Sequence, residues 1–243
     1  MIKEKRKMKK RLAFIAAAVM LLSGCGSKSD SSEASSDRGF NSSITIKAED
    51  SSKVKECAEV AESRLEYLYP GLKSSVSCDK DTAKIEFRMK SDEWNATTFD
   101  VLNRYGSLEF RKGADTEKNA DGQVVPTGEL VLENADIAEA SSTLVKTEAG
   151  EEYAVVFTTT DAGKDKLASA TTELAGTSTP LSIWFDNEMI SAPTVAAPIA
   201  EGQSMITGNL TPESSTYIAA AIDSGALPCG IEITECKVEG EKK

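Results

Sequence analysis

Between residues 44 and 111 the spacing of apolar residues changes several times, and the order of these changes limits the fold more than composition does. Residues 44–48 alternate between apolar and polar, which predicts a strand with one buried face. Asp50 or Ser51 then caps a predicted helix, which ends at the "YPG" of residues 69–71. The apolar residues at helical spacing are Val54, Cys57, Ala58, Ala61, Leu65 and Leu68.

A predicted hairpin and a second predicted helix follow. Residues 76–78 begin one strand, and residues 83–89 alternate without interruption in the next, with "DKD" as the turn between them. The second helix runs from about Asp92 to Gly106 and leads into a strand at residues 107–111. The order βαββαβ predicts a ferredoxin-like α+β base, with its helices on one face of the sheet.

The remaining sequence predicts a loop at residues 112–127 and then a second α+β unit. Asn187 suits a tight hairpin because it tolerates positive φ, and Thr211 followed by Pro212 is typical of a helix start. The predicted elements are a strand at 152–160, a helix from Thr160 to about Ala175, strands at 179–185 and 188–192 joined by a turn at Asp186–Asn187, a helix from Thr211 to Gly225, and a strand at 231–238.

The segment between the last hairpin and the last helix has an unusual composition. Pro193 and Pro198 fix φ and lack N–H donors, which predicts that the chain leaves regular pairing after Ile190. Gly202 and Gly208 then permit a tight turn and the close packing of a return strand. The alternative is that these residues build fold geometry alone and contact no ligand.

The N-terminus predicts where the protein works. A basic run, Lys3–Arg11, precedes an apolar run, Leu12–Leu22, which is too short to span a bilayer and is typical of a signal peptide. The small residues Ser23 and Gly24 directly before Cys25 resemble the lipobox of bacterial lipoproteins. That resemblance implies a signal peptide at residues 1–24 and a lipid, such as palmitate, on Cys25. The alternative is a short hydrophobic anchor with an incidental cysteine.

Residues 25–43 are rich in Ser and Asp and have one large apolar residue, Phe40, so we expect a disordered tether. The net charge of −11 disfavours a nucleic-acid partner because like charges repel at long range. Beyond the signal peptide, no apolar stretch approaches membrane-spanning length. The predicted attachment is therefore the lipid, on the extracytoplasmic face of the cell membrane.

Catalytic motifs are scarce in this sequence. It contains no His, the usual general base and a common metal ligand, and no G-x-S-x-G. Residues 77–80 match S-x-x-K, but they fall on a predicted strand and turn, and no K-T-G follows. We therefore predict no enzyme activity, no metal site and no cofactor.

Residues 182–228 combine a hairpin turn, S-A-P, P-I, a Gly turn, I-T-G, a capped helix and S-G-A-L-P. This combination resembles the head of the first periplasmic domain of SecD, an accessory subunit of the bacterial protein-export translocase. Arg64 on the first predicted helix and the "LEFR" of residues 108–111 resemble the base of that domain. The resemblance covers residues 44–238.

The resemblance implies a base at residues 44–112 and 229–238, with an inserted SecD-type head at residues 113–228 that swings about hinges near Gly113 and Pro228. It further implies binding of unfolded or exported polypeptide beside the Sec translocase. The transmembrane helices that couple SecD to the proton gradient have no counterpart in this sequence, so we expect binding without proton-driven pulling. The alternative is an envelope module that docks one fixed protein partner. The candidate polypeptide-binding residues are Ile190, Pro193, Val195, Pro198 and Ile206.

Besides Cys25, the sequence has four cysteines, an even number in a compartment that permits disulfides. They allow three pairings, between which spacing does not choose. A bridge from the first half of the base to the last strand would enclose the head. Four free thiols are the alternative. The cysteines are Cys57, Cys78, Cys229 and Cys236.

Overall fold

The structure is a computed structural model that describes residues 40–89, 94–147 and 150–238. The predicted signal peptide of residues 1–24, the lipidation site Cys25 and most of the predicted tether lie outside these ranges. Within the described ranges, no helix has the length and apolar character needed to cross a membrane.

The base is a four-stranded antiparallel sheet with two helices. Its strands are β1 (Ser42–Ala48), β2 (Ser74–Cys78), β3 (Thr82–Phe87) and the last strand of the chain, β13 (Ile231–Val238). Its helices are α1 (Val54–Leu68), which follows a 3-10 turn at Ser51–Lys53, and α2 (Ala96–Asn103). The strand order is β13–β1–β3–β2, and all neighbours are antiparallel. The base thus has the predicted ferredoxin-like βαββαβ arrangement, with the head inserted between α2 and β13.

The elements of the head, in chain order, are β4 (Leu108–Lys112), β5 (Thr116–Lys118), β6 (Val124–Pro126), β7 (Leu130–Glu133), a 3-10 turn (Asn134–Asp136), β8 (Ile137–Thr147), β9 (Gly150–Thr159), α3 (Asp161–Leu174), β10 (Leu181–Phe185), β11 (Glu188–Ser191), β12 (Gln203–Leu210) and α4 (Pro212–Ser224). Its described strands form one sheet of order β11–β10–β4–β7, one of order β12–β9–β8 and a separate hairpin, β5–β6.

The boundary between base and head differs from the prediction because strand β4 belongs to the head. The sequence pattern predicts this strand in the base, but it pairs with β10 and β7, and β13 completes the base sheet beside β1. The chain therefore enters the head before Leu108 and not at Gly113. Alternation at Leu108 and Phe110 predicts one buried face, but it carries no information about which sheet provides the neighbouring strands.

Local signals elsewhere are confirmed. Thr160 caps α3 and accepts a hydrogen bond from the Gly163 N–H at 3.1 Å. Asp186 and Asn187 have φ values of 51° and 65°, as the predicted turn between β10 and β11 requires. The predicted loop at residues 112–127, by contrast, contains the short hairpin β5–β6, and β7 and β8 are not among the predicted strands.

Each unit has its own core. The base core lies between its sheet and α1, and includes Ile44, Ile46, Ile85, Phe87, Cys57, Ala61 and Leu65. The head core includes Phe110, Leu132, Phe157, Leu167, Ile183, Phe185 and Ile222. Helix α4 packs on β8 and β9 of the head and also contacts α1 and α2 of the base. It therefore forms the layer that the two units share.

Candidate functional site

An exposed, largely apolar segment of the head lies between β11 and β12. We call residues 192–201 the crown. Most of its residues are solvent-exposed, and apart from Thr194 and Glu201 they are apolar. The exposed small apolar residues are Ala192, Pro193, Ala196, Ala197, Pro198 and Ala200. Exposed apolar residues that lie close together in one segment make the crown a candidate contact surface.

Backbone hydrogen bonds hold the crown on the head. The carbonyl of Pro193 accepts from the Leu181 N–H at 2.9 Å, and the carbonyl of Val195 accepts from the Gly176 N–H at 3.0 Å. Farther along, the Ile199 N–H donates to Thr171 Oγ1 at 2.9 Å. The crown is therefore a fixed surface, although its prolines exclude it from a regular sheet.

The two glycines act as the sequence predicts. Gly202 has a φ of 69°, and its carbonyl accepts from the Thr159 N–H at 2.8 Å, which returns the chain to the edge of β9. A Cβ on Gly208 would lie 2.8 Å from the Ile190 carbonyl oxygen, so only glycine permits this approach.

The candidate binding residues divide into two groups. Pro193 and Pro198 are exposed in the crown. Val195 is 8% exposed and Ile206 is fully buried, and both belong to the head core together with the partly buried Ile190. Val195 and Ile206 therefore cannot contact a ligand without disrupting the head, which corrects the prediction for these two residues.

Two methionines that are not among the predicted binding residues lie beside these core residues. Met189 and Met205 are each 49% exposed, and each is next in sequence to a residue of the buried face. Successive side chains on a strand point to opposite faces, so the burial of Ile206 implies the exposure of Met205. That alternation is the signal that could have identified them.

Arg64 of α1 is the central residue of the connection between base and head. We call the two chain crossings, residues 104–107 and 224–227, the junction. Arg64 is fully buried and donates hydrogen bonds to acceptors on both crossings. Its acceptors are the carbonyls of Val101 (2.7 Å), Leu102 (3.3 Å), Arg104, Tyr105 (2.9 Å) and Gly225 (3.3 Å), and Ser224 Oγ (3.3 Å).

A carboxylate of the head, that of Asp186, favours the charged form of Arg64. Burial lowers the pKa of Arg64 to about 10, and the carboxylate of Asp186 opposes this change. Asp186 lies in the β10–β11 turn and accepts from the Ser107 N–H at 2.8 Å through Oδ1. Its other oxygen, Oδ2, is buried without a hydrogen-bond partner among the described residues. A buried cation on the base helix and a partly buried carboxylate of the head thus interact electrostatically at the junction.

The two crossings also contact each other. The Leu227 N–H donates to the Tyr105 carbonyl at 2.8 Å, and the Leu227 side chain is buried in the base core. Of the predicted hinge residues, Pro228 directly follows this crossing. Gly113 lies within the head, where its N–H donates to the Pro180 carbonyl at 2.8 Å.

Polar clefts elsewhere in the head do not converge on a reactive group. The cleft between β7 and α3 has a volume of about 440 Å³, and an ion pair between Lys166 and Asp136 (2.8 Å) lies at its wall. Lys112 at its rim pairs with Glu129 at 3.2 Å. Among the residues that the structure describes, no three His, Cys, Asp or Glu side chains are grouped so that they could hold a metal ion.

Comparison with known proteins identifies relatives of this fold. Residues 109–229 match the family model for the SecDF P1 head subdomain. The chain is 32% identical over 98 residues to protein translocase subunit SecD of Synechocystis. The aligned region covers 38% of this chain and 21% of that protein. It is 29% identical over 157 residues to SecD of Rickettsia felis, 63% of this chain and 29% of that protein. It thus spans less than a third of the length of these relatives.

Solved structures show the same fold. A crystal structure of SecDF in a super-membrane-facing form has a TM-score of 0.65 at 21% identity, over 80% of this chain and 30% of that chain. A second structure, of a membrane component SecDF that enhances protein export, has a TM-score of 0.64 at 20% identity, over 81% of this chain and 100% of that chain. Residues 109–229 are therefore similar to the SecDF P1 head family, and the described chain has the fold of these SecDF structures.

Proposed function

We propose that this protein is a lipoprotein, anchored by a lipid on Cys25 to the extracytoplasmic face of the cell membrane. There it binds unfolded or newly exported polypeptide as an accessory to the Sec translocase. The relation to protein translocase subunits supports the translocation context. Because the chain spans only part of those relatives, the substrate and the partners are inferred from its own surface.

The observation that carries the proposal is the exposed crown. Its small apolar residues form a shallow surface without large aromatic side chains, which suits segments of varied sequence better than one fixed shape. Met189 and Met205 add flexible, polarizable contacts of the kind found on promiscuous binding surfaces. Unfolded polypeptide exposes the apolar side chains that such a surface would cover.

The junction supports a second part of the proposal, in which the head changes its orientation on the base. The two units have separate cores and are joined by two short crossings, so few residues need to absorb a rotation. Gly106 and Gly225, at positive φ in the two crossings, and the neighbouring Pro228 are the proposed pivots. Arg64 would hold the observed orientation, because its acceptors lie on both crossings.

Photo-crosslinking in cells tests polypeptide binding. A photoreactive residue replaces Met189, Ala196 or Met205, which are exposed, and Lys84 on the base sheet serves as the control position. We expect the head probes to capture many different exported chains, together with translocase subunits, and the control probe to capture far fewer. One dominant partner at all head positions would overturn polypeptide binding in favour of a module that docks a fixed partner.

The anchor has its own test. Metabolic labelling with a palmitate analogue should label the wild-type protein and not Cys25→Ala, and the variant should leave the membrane fraction. Equal labelling of Cys25→Ala would contradict lipidation at Cys25. A Cys78→Ala variant, with an exposed cysteine in the base sheet, is the matched control and should label like the wild type.

A further inference from the structure

Two cysteines that are far apart in sequence meet in the base. The sulfur atoms of Cys57 on α1 and Cys229, just before β13, lie 3.5 Å apart across 172 residues of chain. Cys57 is fully buried, whereas Cys229 is partly exposed. A disulfide bond is about 2.05 Å long, so the two thiols are in contact but not bonded, and a small side-chain movement would bring them to bonding distance.

The other two cysteines are held apart. Cys78 is on β2 and Cys236 on β13, which are the opposite edges of the base sheet, with β1 and β3 between them. Three strand spacings amount to roughly 14 Å, about twice the largest separation of Cα atoms that a disulfide spans. Cys229 and Cys236 are separated by an extended stretch of β13. Among the described cysteines, Cys57 and Cys229 are the pair in contact, so the structure favours this one bond and leaves Cys78 and Cys236 as separate thiols.

We infer that Cys57 and Cys229 are a redox-active pair that forms a disulfide in an oxidising compartment. The bond would link helix α1 to the segment just before β13, where the chain re-enters the base from the head. The oxidant is a disulfide-bearing thiol oxidoreductase or a small-molecule disulfide. The inference rests on the geometry of the base and does not depend on polypeptide binding by the crown.

Accessibility sets the order of the reaction. The Cys229 thiolate attacks the oxidant's disulfide, which forms a mixed disulfide and releases one thiol. Cys57 then gives up its proton and attacks the Cys229 sulfur, which expels the second thiol of the oxidant. Two thiols of the protein are oxidised and one disulfide of the oxidant is reduced. Burial, together with the neighbouring Cys229 thiol, raises the pKa of Cys57 to about 12, which favours Cys229 as the first nucleophile.

The position of the pair determines what the bond would constrain. Leu227 is already buried in the base core, so Cys229 lies on the base side of the junction. The bond would therefore stabilise the base, where β13 completes the sheet, and would place no covalent constraint on the crossings at Gly106 and Gly225. In the unfolded chain it would close the long loop that contains the whole head, which restricts the unfolded ensemble.

The test uses the full chain, incubated with oxidised glutathione, alkylated and digested for peptide mapping. We expect a linked peptide that contains Cys57 and Cys229, with Cys78 and Cys236 remaining alkylatable or carrying glutathione. We also expect the denaturation midpoint to be higher for the oxidised protein than for the reduced protein. Glutathione trapped on Cys229 without ring closure, or linkage of Cys57 to another cysteine, would overturn the inference.

Matched variants separate the bond from other effects of oxidation. The double variant Cys78→Ser/Cys236→Ser keeps the pair and should retain the redox-dependent shift of the midpoint. Cys229→Ser and Cys57→Ala should each abolish that shift, and Cys57→Ala suits a buried helix position because it adds no polar group. A shift that persists in Cys229→Ser would show that the stabilisation comes from elsewhere.

Discussion

At the scale of single residues, Arg64 shows how a buried charge organises the junction. A guanidinium carries several donors in a fixed planar arrangement, and those of Arg64 reach carbonyls that would otherwise end α2 and α4 without partners. Removing it would leave those acceptors buried and unpaired, which costs more than the hydrogen bonds contribute while they exist. The residue therefore defines the geometry in which the head meets the base.

Gly106 lies against Arg64 at the junction, and its backbone conformation is part of the same packing. Its φ is 77°, and a Cβ there would lie 2.7 Å from Arg64 Nη2 and 3.0 Å from Ala221 Cβ. We predict that Gly106→Ala lowers the free energy of unfolding by about 2–4 kcal/mol, since backbone strain and steric overlap add. Gly122, with a φ of 80° and open space around it, is the matched control. Gly122→Ala should cost about 1–2 kcal/mol from strain alone, and equal losses in urea denaturation would contradict the steric argument.

The Cys57 thiol predicts a pH dependence for the reduced protein. Burial raises the pKa of Cys57 from 9.0 to about 12 in the folded state. Between these two pKa values the unfolded chain has lost the Cys57 proton that the folded chain retains, so the free energy of unfolding falls as the pH rises. We therefore expect wild type to lose stability relative to Cys57→Ala between about pH 9 and about pH 12, measured by urea denaturation with a reductant present. A difference that does not change with pH would contradict this.

At the scale of elements, strands β11 and β12 present one face to the core and one to solvent. The same alternation buries Ile206 and exposes Met205, and it places Ile190 against the core beside the exposed Met189. The crown between these strands is anchored by backbone hydrogen bonds, so its exposed side chains are available for contacts. Stability and binding should therefore respond to different residues of the same segment.

Neighbouring positions on β12 test this separation. Ile206→Ala should lower the free energy of unfolding by about 2–4 kcal/mol because it leaves a cavity in the head core. Met205→Ala, one residue earlier and 49% exposed, should change it by less than about 0.5 kcal/mol. Met205→Ala should nevertheless reduce capture of unfolded polypeptide. Unchanged capture in a Met189→Ala/Met205→Ala double variant would exclude the methionines from the binding surface.

At the scale of the whole molecule, two features act together: a head inserted into a base, and a strongly acidic chain. The insertion leaves two crossings, and Arg64 donates hydrogen bonds to carbonyls on both. The net charge of −11 creates a field that attracts basic polypeptides and repels acidic ones before any contact forms. We therefore expect the field to govern the encounter with a polypeptide and the apolar crown to govern its retention.

Salt dependence checks this division of roles. The association rate of a basic unfolded polypeptide should fall at least about tenfold when added salt reduces the Debye length from about 10 Å to about 3 Å. An acidic polypeptide of equal length and apolar content should instead associate faster as salt is added. Stopped-flow fluorescence measures both rates. Identical salt responses for the two polypeptides would show that the net charge does not steer binding.

Features that depend on neighbours in sequence were predictable. The cap at Thr160, the turn at Asp186–Asn187 and the close approach of Gly208 follow from local backbone geometry, and the structure agrees with each. The resemblance of residues 182–228 to SecD is likewise a property of the sequence, and the match to the head family bears it out.

Other features required the tertiary structure. Alternation predicts that β4 has a buried face, but strand pairing with β10 and β7 decides that it belongs to the head. Hydrophobicity alone does not distinguish an apolar crown residue that is exposed to solvent from one that packs in the head core. Val195, for example, is buried in the core. Cys57 and Cys229 meet across 172 residues. Sequence by itself determined the helices, the tight turns and the resemblance to SecD because local geometry and residue pattern encode them, whereas β5 to β8 were not predicted. The structure alone decided which distant residues touch, since those contacts depend on how the whole chain is packed.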